Sequence, residues 1–172
     1  MSMQSDVKQA FINQSGYPTP YERLRIKGIA VKGSSSAGQL DVFSTNATPV
    51  AGTYGQSGST ITVTKVGHGL STGDKIGIAY TAGTGGTAVC GNVVITVTGD
   101  DTFTISCINS YTITGDPACR YVTNGGSWLM TFTLAATDIY NNYFNIPDQG
   151  ILVEKKVYCS MSNVSAATIF YA

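Results

Sequence analysis

Charge is scarce in this sequence. Lysine plus arginine and aspartate plus glutamate number 10 each, so the formal net charge is zero and only 12% of the 172 residues are charged. An ordinary soluble domain carries about a quarter. The basic field that a nucleic-acid binder presents is missing. The densest basic stretch, Arg23, Arg25, Lys27 and Lys32, falls on what reads as a strand. Little charge guards this surface against association, which suits a surface that faces partners. No apolar run reaches the length of a membrane helix, so no membrane partner is expected. Residues 1–14 lack a hydrophobic segment flanked by basic residues, so a secretion signal is not expected either.

Histidine occurs once, as His68, and no acid pair accompanies it at a spacing suited to hydrolysis. Proline is sparse, at 5. The four cysteines, Cys90, Cys107, Cys119 and Cys159, match no zinc spacing. Without a secretion signal they read as buried free thiols in a reducing compartment. The alternative is one disulfide, Cys107 with Cys119 or Cys90 with either.

What the chain does have is glycine, 20 residues of it, and many threonine, valine, isoleucine and tyrosine residues. These favour strands and turns over helices. Leu24 and Ile26 alternate in one phase, and Ile29 and Val31 in the other. A bulge at Gly28 would bring all four to one side. Leu40 and Val42, Ile76, Ile78 and Tyr80, Val93, Ile95 and Val97, and Phe103, Ile105 and Cys107 each share a face. So do Trp128, Met130, Phe132 and Leu134. Asn46 to Gly58 reads as loop, Tyr111 to Ile113 and Arg120 to Val122 as short edge pieces, and Asp138 to Phe144 as irregular and aromatic.

Short strands at this spacing predict an all-β chain, a β-sandwich of jelly-roll-like or Ig-like type. Residues 22–58 and 123–172 are each too small for a core and together make the sandwich. Residues 59–122 form a small inserted β domain at a loop tip, and residues 1–21 an extended arm. The arm has no evident core of its own; Asp6 to Gln14 would make two helical turns, and the arm is expected to lie on a neighbouring subunit. The last strand, ending at Tyr171, is expected inside the fold.

The chemical reading is sparse. His68, between Gly67 and Gly69, reads as a ring packed over a turn, with Gly73 and Asp74 closing it. Asp100 and Asp101 are strand neighbours pointing to opposite sides, a poor catalytic pair; a third acid would be needed for calcium. The glycine-rich stretch Thr81 to Gly86 lacks the lysine and helix of a phosphate loop. No catalytic residue, metal or cofactor is expected. The interface candidates are Phe11, Ile12, Tyr17 and Tyr21 on the arm, and Tyr140, Tyr143 and Phe144 near the end, because tyrosine gives contact area at low entropic cost.

The run Gly67-His68-Gly69-Leu70-Ser71-Thr72-Gly73-Asp74, preceded by Ile61-Thr62-Val63-Thr64 and followed by Asp101-Thr102-Phe103-Thr104-Ile105, resembles a small β module of tailed-bacteriophage virion proteins. In that module a GHGLSxGD turn links two strands. Arg23 to Val42 with Phe144 to Tyr171 is similar to small phage head-decoration sandwiches. The resemblance implies a virion structural protein assembled in the host cytoplasm. The leading role is a capsid decoration or cement protein whose partners are the major capsid protein or copies of itself. A tail, adaptor or fibre-base protein is the first alternative. A carbohydrate-binding module, with a host-surface glycan on the Tyr140 to Phe144 cluster, is the second.

Overall fold

A computed structural model describes residues 7–20 and 22–172. The described chain is all β. The strands are β1 (Lys8–Ile12), β2 (Leu24–Gly33), β3 (Gly38–Ser44), β4 (Val50–Thr64), β5 (Lys75–Tyr80), β6 (Gly91–Val94), β7 (Thr96–Gly99), β8 (Thr102–Ile113), β9 (Ala118–Val122), β10 (Ser127–Leu134), β11 (Asn141–Asn145), β12 (Ile151–Val153), β13 (Val157–Ser162) and β14 (Val164–Tyr171). They divide into two compact units. One comprises the chain up to Asn46 with Met130–Ala172; the other is Ala47–Leu129.

The first unit is a two-sheet sandwich. One sheet runs β1-β14-β2-β11, with β12 also on β2; the other runs β10-β3-β13. The pairing is nested, β2 with β14 and β3 with β13. The phase change in β2 is resolved as a bulge: Phe170 faces Gly28 while Tyr171 faces Ile26, leaving Lys27 as the extra residue. Leu24, Ile26, Ile29 and Val31 are therefore all buried, with Val42, Val153 and Ile169. The closing strand, β14, lies between β1 and β2, inside its sheet.

The arm differs from expectation. Residues 8–12 are a strand, not a helix, and they pair with the chain's own β14, Lys8 opposite Tyr171 through Ile12 opposite Ala167. Gly16 then exchanges two backbone hydrogen bonds with Cys159 of β13, both 2.9 Å, and the Met161 N–H donates to Ser15 Oγ at 2.8 Å. The arm thus crosses from one sheet to the other. Its apolar residues do have a core to enter: Ala10 and Ile12 share the parity of Ile169 and Ala167, the buried side of β14.

The second unit is a six-stranded antiparallel sheet, β6-β5-β9-β4-β8-β7. Its two edge strands are consecutive in the chain, with only Ile95 between them. One stretch of backbone thus pairs with β5 through residues 91–94 and with β8 through residues 96–99, and the sheet closes into a barrel. Tyr54, Ile61, Ile78, Tyr80, Phe103 and Tyr121 fill it. This unit starts earlier than the alternation at Thr60 suggests. β4 is continuous from Val50, so the supposed loop 46–58 is mostly strand, and the return boundary lies at Leu129 and not at Val122. β9 is interior, between β5 and β4, and Tyr111 to Ile113 ends the long β8; neither is an edge piece.

Candidate functional site

The GHGLSTGD turn holds the barrel shut. Gly67, Gly69 and Gly73 adopt positive φ, 58°, 65° and 97°, a region that side-chain-bearing residues seldom enter. The freed backbone groups bind inward. The Gly67 N–H donates to Asp101 Oδ1 at 2.8 Å, and the Ser71 N–H to Asp74 Oδ2 at 2.8 Å. At the hinge between β6 and β7, the Gly73 N–H donates to the Ile95 carbonyl and the Ile95 N–H to the Asp74 carbonyl, 2.9 and 3.1 Å. The Val97 N–H donates to Thr72 Oγ1, 2.9 Å. His68 completes the set. Its Nδ1 accepts from the Leu70 N–H at 3.0 Å, so Nε2 carries the proton and donates to the Gly99 carbonyl, also 3.0 Å. The ring stands edge-on to Phe103 at 5.4 Å. Both nitrogens are engaged with backbone, which gives His68 a structural task. Among the described residues, no three His, Cys, Asp or Glu side chains gather to hold a metal.

All four cysteines are free thiols. Cys119 and Cys159 are buried, and burial pushes each thiol up to about 12. Cys90 and Cys107 are partly exposed along an apolar groove with Ile61, Val93 and Ile105.

Apart from Tyr111 on the second unit, the exposed aromatic residues among those described lie on the first unit, where strand alternation sorts them. Tyr143 and Phe144 are adjacent on β11 and therefore take opposite faces. Phe144 turns back to Phe132, ring centroids 4.5 Å apart, while Tyr143 stands on the outer face, 59% exposed. Phe11 is on that same outer face of β1, 67% exposed; Ile12, its neighbour, is buried and belongs to the core. Tyr17 packs edge-on against Tyr158 at 4.9 Å. Tyr140 is exposed in the turn before β11. Tyr21 lies outside the described residues. The Tyr140 to Phe144 cluster is thus no single patch. The sheet instead joins Tyr143 to Phe170, edge-on at 5.5 Å, and to Phe11 along one cross-strand row. That row reads Phe11, Thr168, Ala30, Tyr143. Beside it, Lys27, Asn145, Asp148 and Phe170 line a groove of about 350 Å3 with Tyr143. The link of Lys27 and Phe170 to Tyr143 escapes a reading of the sequence because the three residues meet only once β2, β11 and β14 are paired.

No protein-family model matches the chain, and no curated protein does. A solved structure, the phage phi92 endosialidase, is similar to 76% of this chain at 21% identity with a TM-score of 0.26; the similar part spans 15% of that structure's length.

Proposed function

We propose that this chain is a non-catalytic structural protein of a bacteriophage virion, acting as a capsid decoration protein. The observation that carries the reading is the outer face of the β1-β14-β2-β11 sheet. Its central strands present the small residues Ala166, Thr168 and Ala30 with Phe11, Tyr143 and Phe170 standing among them, and Arg25, Lys27 and Lys32 project along β2 on the same face. A face of this kind supports binding over solvation. The resemblance of the GHGLSTGD turn to a virion module supports the location, and the engagement of His68 and Asp101 in backbone hydrogen bonds supports a structural use of the only histidine. The test is mass-spectrometric counting of the chain in purified virions of the phage that encodes it. A copy number commensurate with the capsid lattice is expected. A number matching a tail ring would move the protein to the tail, adaptor or fibre base and overturn the decoration role. Absence from purified particles would overturn the virion reading altogether.

A further inference from the structure

We propose that the outer face of the five-stranded sheet binds an acidic saccharide chain, one bearing carboxylates, laid across β14 and β2 between Phe11 and Tyr143. The inference rests on the same face that carries the virion reading and names what that face recognises; titration of the isolated chain tests it independently of the copy number in particles.

The floor comes first. Phe11 and Tyr143 are separated on one row only by Thr168 and Ala30. Three strand spacings put them roughly 14 Å apart, so the row is a trough with aromatic walls. The next row contains Gly28, flanked by Phe170 and Asn145. A Cβ at Gly28 would sit 2.7 Å from the Tyr143 hydroxyl. Only glycine there allows the tyrosine to lean across the sheet towards the edge-on Phe170 ring. One side of Tyr143 is supported by the sheet and the other is open. An open, electron-rich ring face is what the axial C–H side of a pyranose packs against.

Charge narrows the ligand. The basic stretch singled out in the sequence lies along this strand. By alternation against buried Ile26 and Val31, Arg25, Lys27 and Lys32 project to the outer face. The outward positions of the other strands are Gln9 and Phe11, Ala166, Thr168 and Phe170, and Asn141, Tyr143 and Asn145. None is a carboxylate. Among the described residues the ion pair is Arg23 with Glu154, 3.8 Å, and Arg25, Lys27 and Lys32 form none, although the Asp148 carboxylate lines the groove beside Lys27. Lys27 Nζ donates to the Asp148 carbonyl at 3.2 Å, which holds it at the groove rim beside Tyr143. The exposed Asn145 amide and Asp148 carboxylate supply partners for sugar hydroxyls. A neutral glycan would leave three cations unused. A second copy would bring the same cations against them. Single-stranded nucleic acid would also suit aromatics with cations, but three cations on a chain of zero net charge fall short of a phosphate track.

The test uses the full chain, titrated calorimetrically and by amide NMR with oligogalacturonate, alginate and hyaluronan oligomers. Methyl-esterified oligogalacturonate, dextran and single-stranded DNA are the other arms. Saturable binding to at least one acidic oligomer is expected, with shifts at Lys27, Tyr143 and Phe170, and about tenfold weaker binding of the methyl ester. Tyr143→Ala and Lys27→Met should each weaken binding by about tenfold while leaving the NMR spectrum of the core unchanged. Lys75→Met, on the second unit, should not. The proposal is overturned if no acidic oligomer binds saturably, if the methyl ester or DNA binds as well, or if neither Tyr143→Ala nor Lys27→Met weakens binding in variants that keep the native spectrum.

Discussion

Cys159 sits on β13 opposite Val42 with no exposure, and Cys119, also buried, sits on β9 opposite Gly52. Desolvation is the chief cause that lifts both thiols from the ordinary value of 9.0 to about 12; the backbone of Gly52 pulls Cys119 slightly the other way. Tyr121 is lifted for the same reason, from 10.0 to about 12. These are acids whose neutral form the fold favours. Below the ordinary values both states keep the proton and nothing is gained or lost. Above about pH 9 the unfolded chain releases protons that the folded chain retains, so the unfolded state is favoured progressively and stability falls until the folded thiols titrate near 12. The urea midpoint should therefore drop between about pH 8 and pH 10.5, and drop less in Cys159→Ala. A midpoint flat across that range would contradict the assignment. The same burial predicts which thiols react. At about pH 8, with thiolate as the reactive form, an alkylating reagent should modify Cys90 and Cys107 in the folded chain and all four in denaturant, read by mass.

The arm is the element whose role changes most between sequence and structure. β1 adds a strand to β14, Ile12 enters the core, and Gly16 ties the same segment to β13. Removing residues 1–20 exposes the edge of β14 and the underside of Ala167 and Ile169. Losing Ile12 alone costs about 2 kcal/mol, and the ladder and the Tyr17–Tyr158 contact add to it. A melting temperature lower by roughly 6–12 °C is expected, measured by circular dichroism; an unchanged one would mean that β1 is not docked on its own chain. The strands that could be read in advance are those where large apolar residues recur with period two: β2 with its bulge, β3, β5 and β8; β3 and β5 are buried on both faces, with Gln39, Asp41, Gly77 and Ala79 at the alternate positions. β4 was half hidden because residues 51–60 are mostly glycine, serine and threonine, which give alternation no contrast. β9 is five residues long and carries Arg120 outward, so nothing local marks it as central. β11 has aromatics on both faces, which reads as irregularity until Phe132 and Phe170 are known to lie on opposite sides of it. β1 was hidden for a different reason: its partner is at the far end of the chain, and pairing over that distance leaves no trace in local pattern.

At the scale of the whole chain, two ways of closing a β structure are joined in one polypeptide. The sandwich is assembled from the two chain ends, with β1 on β14, β2 on β14 and β3 on β13, so these pairings wait for residues 157–171. The barrel is local by comparison; β4 to β9 are consecutive, and its closing strand is clamped by a turn that precedes it by about twenty residues. Pairings between distant segments bear a larger loop-closure entropy and form later. With its own buried core and the two ends of its sheet joined through Ile95, the barrel needs nothing from the sandwich to pair its strands. The sandwich keeps open edges and has little charge to guard them, so it is the part whose unfolding should lead to aggregation. Scanning calorimetry of the full chain should then show two transitions, and a fragment of residues 47–129 should be soluble, give dispersed amide signals, and melt cooperatively at the temperature of one of them. His68→Ala, which removes the brace to Leu70 and Gly99, should lower that transition and leave the other in place. A fragment without dispersed signals, or a His68→Ala chain in which both transitions move together, would mean that the barrel borrows its stability from the rest of the chain.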